Sequence, residues 1–319
     1  MLQKLTVISL IALFFVGCGD SNTLVVDGEI QDTPFEIVAN SEGLDRAVLG
    51  KIVSQSEGIL TERFEIGNDR NKYPAGIDNF SSITPELKPL FELAETFFIA
   101  TDSAYDYRLG EVRRLWRLDR RKTKIPDPEE LAASITKAAS GQGMIDLGLL
   151  PAGWAVDGAV ELLIQNGVAK GKVSLGGVSR FWGGMQAQGV PWKIELPPLP
   201  GDTLWKVLTP PDGATAVFHP VLHGIEVEEK HFAPILDPVT GQLSTNSIAV
   251  VSWADNAAAA AAYAEAFFVM GRREAFNWIH SHQPVGLFLI YSDSRDGSIL
   301  CETDANLAEC VKDSLPERR

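Results

Sequence analysis

The spacing of apolar residues changes several times along the chain, and each change marks an element. From Leu24 to Asn40 apolar and polar positions alternate loosely, which predicts strands. Leu44 to Gly58 carries helical spacing instead. Thr84-Pro85 reads as a helix start, an N-cap threonine followed by proline in the first turn. Leu87, Leu90, Phe91, Ala94 and Phe98 then fall on one face. Pro126 to Ala139 predicts a second helix, with Asp127 and Glu129 suited to its positive end. Met144 to Gly148 predicts a buried strand, Trp154 to Asn166 a helix stopped by Gly167, and Lys172 to Leu175 a strand ending at Gly176-Gly177. Pro191 to Leu196 predicts another strand, and the proline-rich Pro197 to Pro211 a loop. Ile248 to Trp253 predicts a strand, Asn256 to Met270 and Glu274 to His280 two helices, and Val285 to Ser292 a final strand. Strands and helices mix without a regular β-α-β rhythm, so the expected class is α+β.

The N-terminus belongs to a different pattern. Leu5 to Gly17 is apolar apart from Thr6 and Ser9, follows the cationic Lys4, and ends at Cys18. It is too short to span a bilayer, which takes about 20 apolar residues as a helix. It fits the core of a secretory signal peptide. Phe15-Val16-Gly17-Cys18 resembles the lipobox of bacterial lipoproteins, which implies cleavage before Cys18 and acylation of that residue. Stable tethering takes more than one acyl chain. The other reading is an ordinary signal peptide with an incidental cysteine. The expected organisation is a signal peptide over 1–17, a tether over 18–30, one domain over 31–300 and a C-terminal tail over 301–319. The expected location is the periplasmic side of a membrane or the cell surface, held there by the lipid.

Composition supports this organisation. The 319 residues are 45% hydrophobic and 22% charged, ordinary for a globular protein. Of three cysteines, Cys301 and Cys310 remain beside Cys18, an even pair suited to a disulfide in an oxidising compartment. A formal charge of -14 excludes nonspecific nucleic-acid binding, which needs clustered cations. One basic run, Arg113, Arg114, Arg117, Arg120, Arg121, Lys122 and Lys124, breaks the acidic trend. It reads either as a solvated face or as a contact for lipid headgroups or a ligand phosphate. Cysteine–histidine metal spacings, phosphate loops and nucleophile elbows are absent from the sequence.

Five blocks then bear a resemblance to a known family. They are Thr101-Asp102-Ser103-Ala104-Tyr105-Asp106 with Gly110 and Trp116; Asp146-Leu147-Gly148 with Gly153-Trp154-Ala155-Val156-Asp157; Ser174-Leu175-Gly176-Gly177 with Pro191-Trp192-Lys193-Ile194; Ile235-Leu236-Asp237-Pro238-Val239-Thr240-Gly241; and Ala266-Phe267-Phe268-Val269-Met270-Gly271. In this order they resemble the FAD:protein FMN transferase (ApbE) family across roughly Phe35 to Ser292. The resemblance implies largely antiparallel sheets with packed helices and a cleft between two lobes. It implies FAD and magnesium as cofactors, and FMN transfer to a threonine or serine of an exported flavin-acceptor protein.

Carried over residue by residue, the resemblance implies that Ala104, Tyr105, Asp106, Asp146, Ala152 and Leu236 contact the flavin nucleotide. Tyr105 would pack on a ring, and Ala152 stands where the family has lysine or glutamate. Leu149, through its backbone carbonyl, and Glu265 would hold the metal. The family's catalytic histidine corresponds to Pro234, with His231 three residues upstream. Its metal-binding aspartate corresponds to Ala261, one helical turn before Glu265, within the alanine run Ala257 to Ala262. Arg108 replaces the usual threonine. Three readings follow: an active transferase with a remodelled site, a member that binds FAD without transfer, and an interaction module on the same fold.

Overall fold

In a computed structural model, the structure describes residues 22–69, 83–118, 123–186, 189–199, 205–227, 230–282, 284–307 and 311–314. Cys18 and its signal segment, Arg120, Arg121, Lys122 and Cys310 lie outside the described residues. The chain opens with a hairpin, β1 (Thr23–Ile30) and β2 (Thr33–Asn40). Gln31 and Asp32 form its turn, both with positive φ, the geometry that matches strand twist in a two-residue loop. Then come α1 (Arg46–Asn68), α2 (Lys88–Ala100), α3 (Gly110–Trp116), α4 (Pro128–Ala139) and α5 (Leu150–Gln165). The strands β3 (Lys170–Leu175), β4 (Val178–Trp182), β5 (Ile194–Leu196), β6 (Trp205–Leu208) and β7 (Gly213–Phe218) follow. After them are α6 (Pro220–His223), β8 (Ile225–Val227), β9 (Lys230–Phe232), β10 (Ala249–Ala254) and α7 (Ala257–Ser281). The last strands are β11 (Gly286–Ser292), β12 (Ile299–Thr303) and β13 (Val311–Ser314).

The main sheet has eight strands in the order β1-β2-β3-β4-β7-β10-β11-β12, every neighbouring pair antiparallel. A three-stranded sheet, β13-β6-β5, and the hairpin β8-β9 complete the strands. β10 is buried at every residue, although antiparallel strands usually leave one face wet. The alternation survives as a division between two cores. Val250 and Ala254 join the core with α1, α5 and α7, whereas Ala249, Val251 and Trp253 join Leu196 and Leu208 of the small sheet. A third core, with Val112, Trp116, Leu131, Val227 and Leu243, forms a smaller lobe around α3, α4 and the β8-β9 hairpin. The α+β expectation therefore holds, with the two lobes facing each other across a cleft.

Several boundaries shift, each for a local reason. Thr23 to Ile30 pairs fully with β2, so these residues are an edge strand rather than tether. The tail past residue 300 is built into the sheets, through β12 beside β11 and β13 beside β6. β6 also interrupts the loop expected over Pro197 to Pro211. Met144 to Gly148 alternates in burial like a strand but forms none, since its ladder stops at Gly110 N–H to the Met144 carbonyl and Asp146 N–H to the Tyr107 carbonyl. α2 starts one turn after Thr84-Pro85, with Pro89 in its first turn, while the Thr84 carbonyl accepts from Leu87 and Lys88. α7 joins the two helices expected there, with a non-helical Gly271 between them. Cys301 is exposed on β12 with a free thiol, while its expected partner Cys310 is among the undescribed residues.

One buried carboxylate fixes the helix pair that carries the cleft. Asp157 on α5 accepts from the backbone N–H groups of Ala257 (2.8 Å) and Ala258 (2.9 Å), the first residues of α7. Its Oδ1 also accepts from Arg180 on β4 at 2.6 Å. A negative charge at a helix N-terminus satisfies orphan donors and opposes the positive end of the dipole. Burial pushes this carboxyl upward, and Arg180 and the two N–H groups pull against that shift. The two helices touch at Gly153, where a Cβ would lie 2.5 Å from the Ala257 carbonyl oxygen. The alanine run is therefore more than a helix-forming composition: all six side chains are buried, and larger ones would hold α7 away from α5. Asp157→Ala is expected to cost about 3–5 kcal/mol, because it leaves Arg180 and two N–H groups without their acceptor. Urea unfolding measures this, and a loss below about 1 kcal/mol would remove Asp157 from that role.

Candidate functional site

The cleft lies where the smaller lobe meets α5 and α7. Its lining comprises Ala104, Asp106, Leu109 and Arg113; Asp146, Gly148 and Leu149; Val217 and Phe218; Pro234, Ile235 and Leu236; and Glu265 and Val269. The enclosed space is about 170 Å³. Leu109, Val217, Phe218, Leu236 and Val269 give the lining its apolar part, and Asp146 and Glu265 give it carboxyls. Six of the eight residues that the resemblance implies for nucleotide or metal, namely Ala104, Asp106, Asp146, Leu149, Leu236 and Glu265, meet here.

Tyr105 and Ala152 do not. Tyr105 is 1% exposed, and its hydroxyl donates to the Leu147 carbonyl at 3.3 Å, so the ring supports the segment under the cleft. Ala152 is buried in the main core because α5 begins at Leu150, four residues before its expected start. His231 is exposed on β9 and Ala261 is fully buried, so neither reaches the cleft. Pro234 does line it and offers a carbonyl to Arg113 Nη1 at 3.4 Å.

Two ion pairs shape the cleft's charge. Arg108 donates twice to Asp106, from Nε and Nη2, each at 2.7 Å, and its guanidinium lies 4.2 Å from the Phe98 ring centroid. Asp106 is therefore already neutralised by Arg108. Arg113 Nη1 stands 3.5 Å from Asp146 Oδ2. Arg113 reaches this position because α3 docks through Gly110, whose Cβ would lie 2.6 Å from the Ile145 carbonyl oxygen, and residue 113 follows one turn later. The basic run alone gave no such assignment; the signal that could have found it is the three-residue step from Gly110 to Arg113.

Glu265 is the most perturbed carboxyl in the cleft. Burial pushes it up to about 8, the negative Asp146 adds to that shift, and the Leu149 N–H and Arg113 oppose it. Its Oε1 accepts from the Leu149 N–H at 2.6 Å, across the start of α5. Gly148 makes the approach feasible: its φ is +55°, and any Cβ there would collide with the Glu265 carboxyl.

These residues do not make a divalent-cation site. The Leu149 carbonyl, expected as a ligand, accepts instead from Ala152 (3.0 Å) and Gly153 (3.2 Å) in the first turn of α5. The Glu265 carboxyl holds the Leu149 N–H, and Asp146 already faces a guanidinium. Among the described residues no three His, Cys, Asp or Glu side chains converge as a metal group. Magnesium normally relies on one or two ionised carboxylates plus substrate phosphates.

The family model described as the ApbE family matches residues 65–289. The chain belongs to the ApbE family. Curated relatives are FAD:protein FMN transferases. That of Vibrio cholerae is 26% identical over 214 residues, covering 60% of this chain and 63% of the relative. That of Escherichia coli K12 is 26% identical over 311 residues, covering 83% and 86%. For the Vibrio cholerae, Salmonella typhimurium and Klebsiella pneumoniae relatives the match spans 63%, 56% and 49% of their length, less than two thirds in each case. The solved flavin transferase ApbE from Vibrio cholerae superposes with a TM-score of 0.71 at 18% identity, covering 89% of this chain and 97% of its own. The ApbE protein of Thermotoga maritima gives 0.69 at 20% identity, covering 87% and 96%. These superpositions establish the shared fold.

Glu265 also links the cleft to stability. It ionises near 4.5 in the unfolded chain and near 8 in the folded one. Its contribution is complete below the lower value and is lost as pH rises through the upper, with a limiting slope of about 1.4 kcal/mol per pH unit. Glu265→Gln keeps an oxygen for the Leu149 N–H and is expected to flatten the fall in Tm between about pH 5 and about pH 8. Equal slopes for the two proteins in thermal melts would disprove the assignment.

Proposed function

We propose that this ApbE-family protein binds FAD in the cleft between α3 and α7. The observation that carries the reading is convergence: residues from four separate sequence blocks, Ala104 and Asp106, Asp146 and Leu149, Leu236, and Glu265, line one cavity. An apolar wall with a few oriented polar groups suits a flat heteroaromatic ring joined to a charged tail. The names of the curated relatives, FAD:protein FMN transferase, support the same ligand.

A second reading, FMN transfer, is favoured by Glu265. A carboxyl held near 8 is poised close to neutrality, where a general base works best. In such a transfer an acceptor serine or threonine oxygen bonds to the phosphorus of the FMN half. The bond from that phosphorus to the pyrophosphate's bridging oxygen breaks, AMP departs, and the hydroxyl proton passes to ionised Glu265. Titration of the purified protein with FAD, followed by flavin fluorescence, is expected to give saturable binding that Ala104→Trp removes by filling the cavity. Unchanged binding by that variant would exclude this cleft as the site. In the same preparations, coexpressed with an exported acceptor protein, an in-gel fluorescent acceptor band lost in Glu265→Gln distinguishes transfer from binding alone.

The protein is further proposed to work outside the cytoplasm, tethered through acylated Cys18. The support is the sequence of residues 1–18 and the short step to β1 at Thr23. Five residues of extended chain reach at most about 18 Å, so the edge of the main sheet would lie close to the membrane surface. Cys18→Ser is expected to move the protein from the membrane pellet to the soluble fraction. Persistence in the pellet after a carbonate wash would refute the lipid tether.

A further inference from the structure

The cleft contains its own cation. Arg113 projects into it from α3, with its side chain 20% exposed, and touches the chain only weakly. Nη1 stands 3.5 Å from Asp146 Oδ2 and 3.4 Å from the Pro234 carbonyl oxygen, at the long end of hydrogen bonding. Nε is buried and has no hydrogen-bond partner. Buried donors in folded proteins are almost always satisfied, so a guanidinium at the cavity wall with one unpartnered nitrogen and two long contacts is under-satisfied by the chain itself. The neighbouring Arg108 behaves differently, since both its bonds to Asp106 are short. Of the two guanidinium groups, Arg113 is the one that lines the cavity, and its bonds to the chain are the longer ones.

We propose that Arg113 is the cation of this cleft: its guanidinium, in place of a divalent metal, receives the phosphate oxygens of bound FAD. The inference rests on the reading that FAD binds here, and adds how its charge is met. A planar guanidinium presents five N–H donors in a fork that matches phosphate geometry. Three features already described leave a metal no place: the Leu149 carbonyl is engaged in α5, the Glu265 oxygen holds Leu149, and Ala261 is sealed in the core. Asp146 then steadies the guanidinium through Nη1, and FAD supplies acceptors to the donors that face the cavity.

The test is FAD binding by the purified protein, measured by fluorescence in excess EDTA and in magnesium, with riboflavin as a phosphate-free control. Wild type is expected to bind FAD equally, within about twofold, in both buffers. Arg113→Met keeps the packed stem and removes the charge. It is expected to weaken FAD binding at least tenfold, about 1.4 kcal/mol, and to leave riboflavin binding unchanged. Arg113→Lys, which restores a charge without the fork, is expected to fall between. Wild-type binding that weakens tenfold in EDTA overturns the inference without any variant. So does FAD affinity unchanged in Arg113→Met, or an equal loss for FAD and riboflavin. If wild type binds riboflavin but not FAD, or neither in either buffer, the functional reading itself fails and this inference with it.

Discussion

The junction of Asp157 with the first turn of α7 is the constraint on which the rest of the structure depends. α5 and α7 come from distant parts of the chain and cross the main sheet together. One carboxylate accepts from the two leading N–H groups of α7 and from Arg180 on β4, tying two helices and a strand at one point. Such a contact requires a close approach of the two helix backbones, which Gly153 and the alanine run provide. Once α7 is seated this way, Glu265, two turns along, can only face the start of α5. There it accepts the Leu149 N–H, and Gly148 is the residue type that allows it. Packing at one end of α7 thus sets the chemistry at the cleft.

The cleft balances its charges within the chain. Asp106 is matched by Arg108, Asp146 by Arg113, and Glu265 carries its own proton over most of the neutral range. Magnesium is usually held by one or two carboxylates together with substrate phosphates. By the family resemblance, Arg108 stands where threonine is usual and Ala261 where a carboxylate is, and Arg113 places a guanidinium at the cavity wall. These features are consistent with one another, because a guanidinium brought near two carboxyls removes the electrostatic reason for a metal. The fold of the ApbE family persists around them because its cores draw on other residues, chiefly the helix and strand faces of α5, α7, β7 and β10.

Most of the elements and the membership of the cleft were legible in the sequence. Apolar periodicity gave α1, α2, α4, α5 and both halves of α7. Loose alternation over Leu24 to Asn40 gave β1 and β2, and the strands read at Lys172 to Leu175, Ile248 to Trp253 and Val285 to Ser292 are β3, β10 and β11. The family resemblance gave six residues that meet in the cavity. What periodicity misjudged has a shared cause. Met144 to Gly148 alternates like a strand, and Trp205 to Leu208 sits among prolines. Whether such segments pair depends on a neighbour brought in from elsewhere, β13 for β6 and nothing beyond two hydrogen bonds for residues 144–148.

The sequence by itself determined which residue types stand in the family-like blocks, and through them the fold and the location of the cleft. Local spacing carries that information because helices and strands impose fixed periods on the side chains they bury. Only the tertiary structure decided that Tyr105 and Ala152 support the cleft without lining it, that the Leu149 carbonyl is spent on its own helix, and that Arg113 enters the cavity. Each of those depends on where two distant backbones meet. A guanidinium in a basic run is the same residue whether it faces solvent or a carboxylate, and only the docking of α3 at Gly110 distinguishes the two.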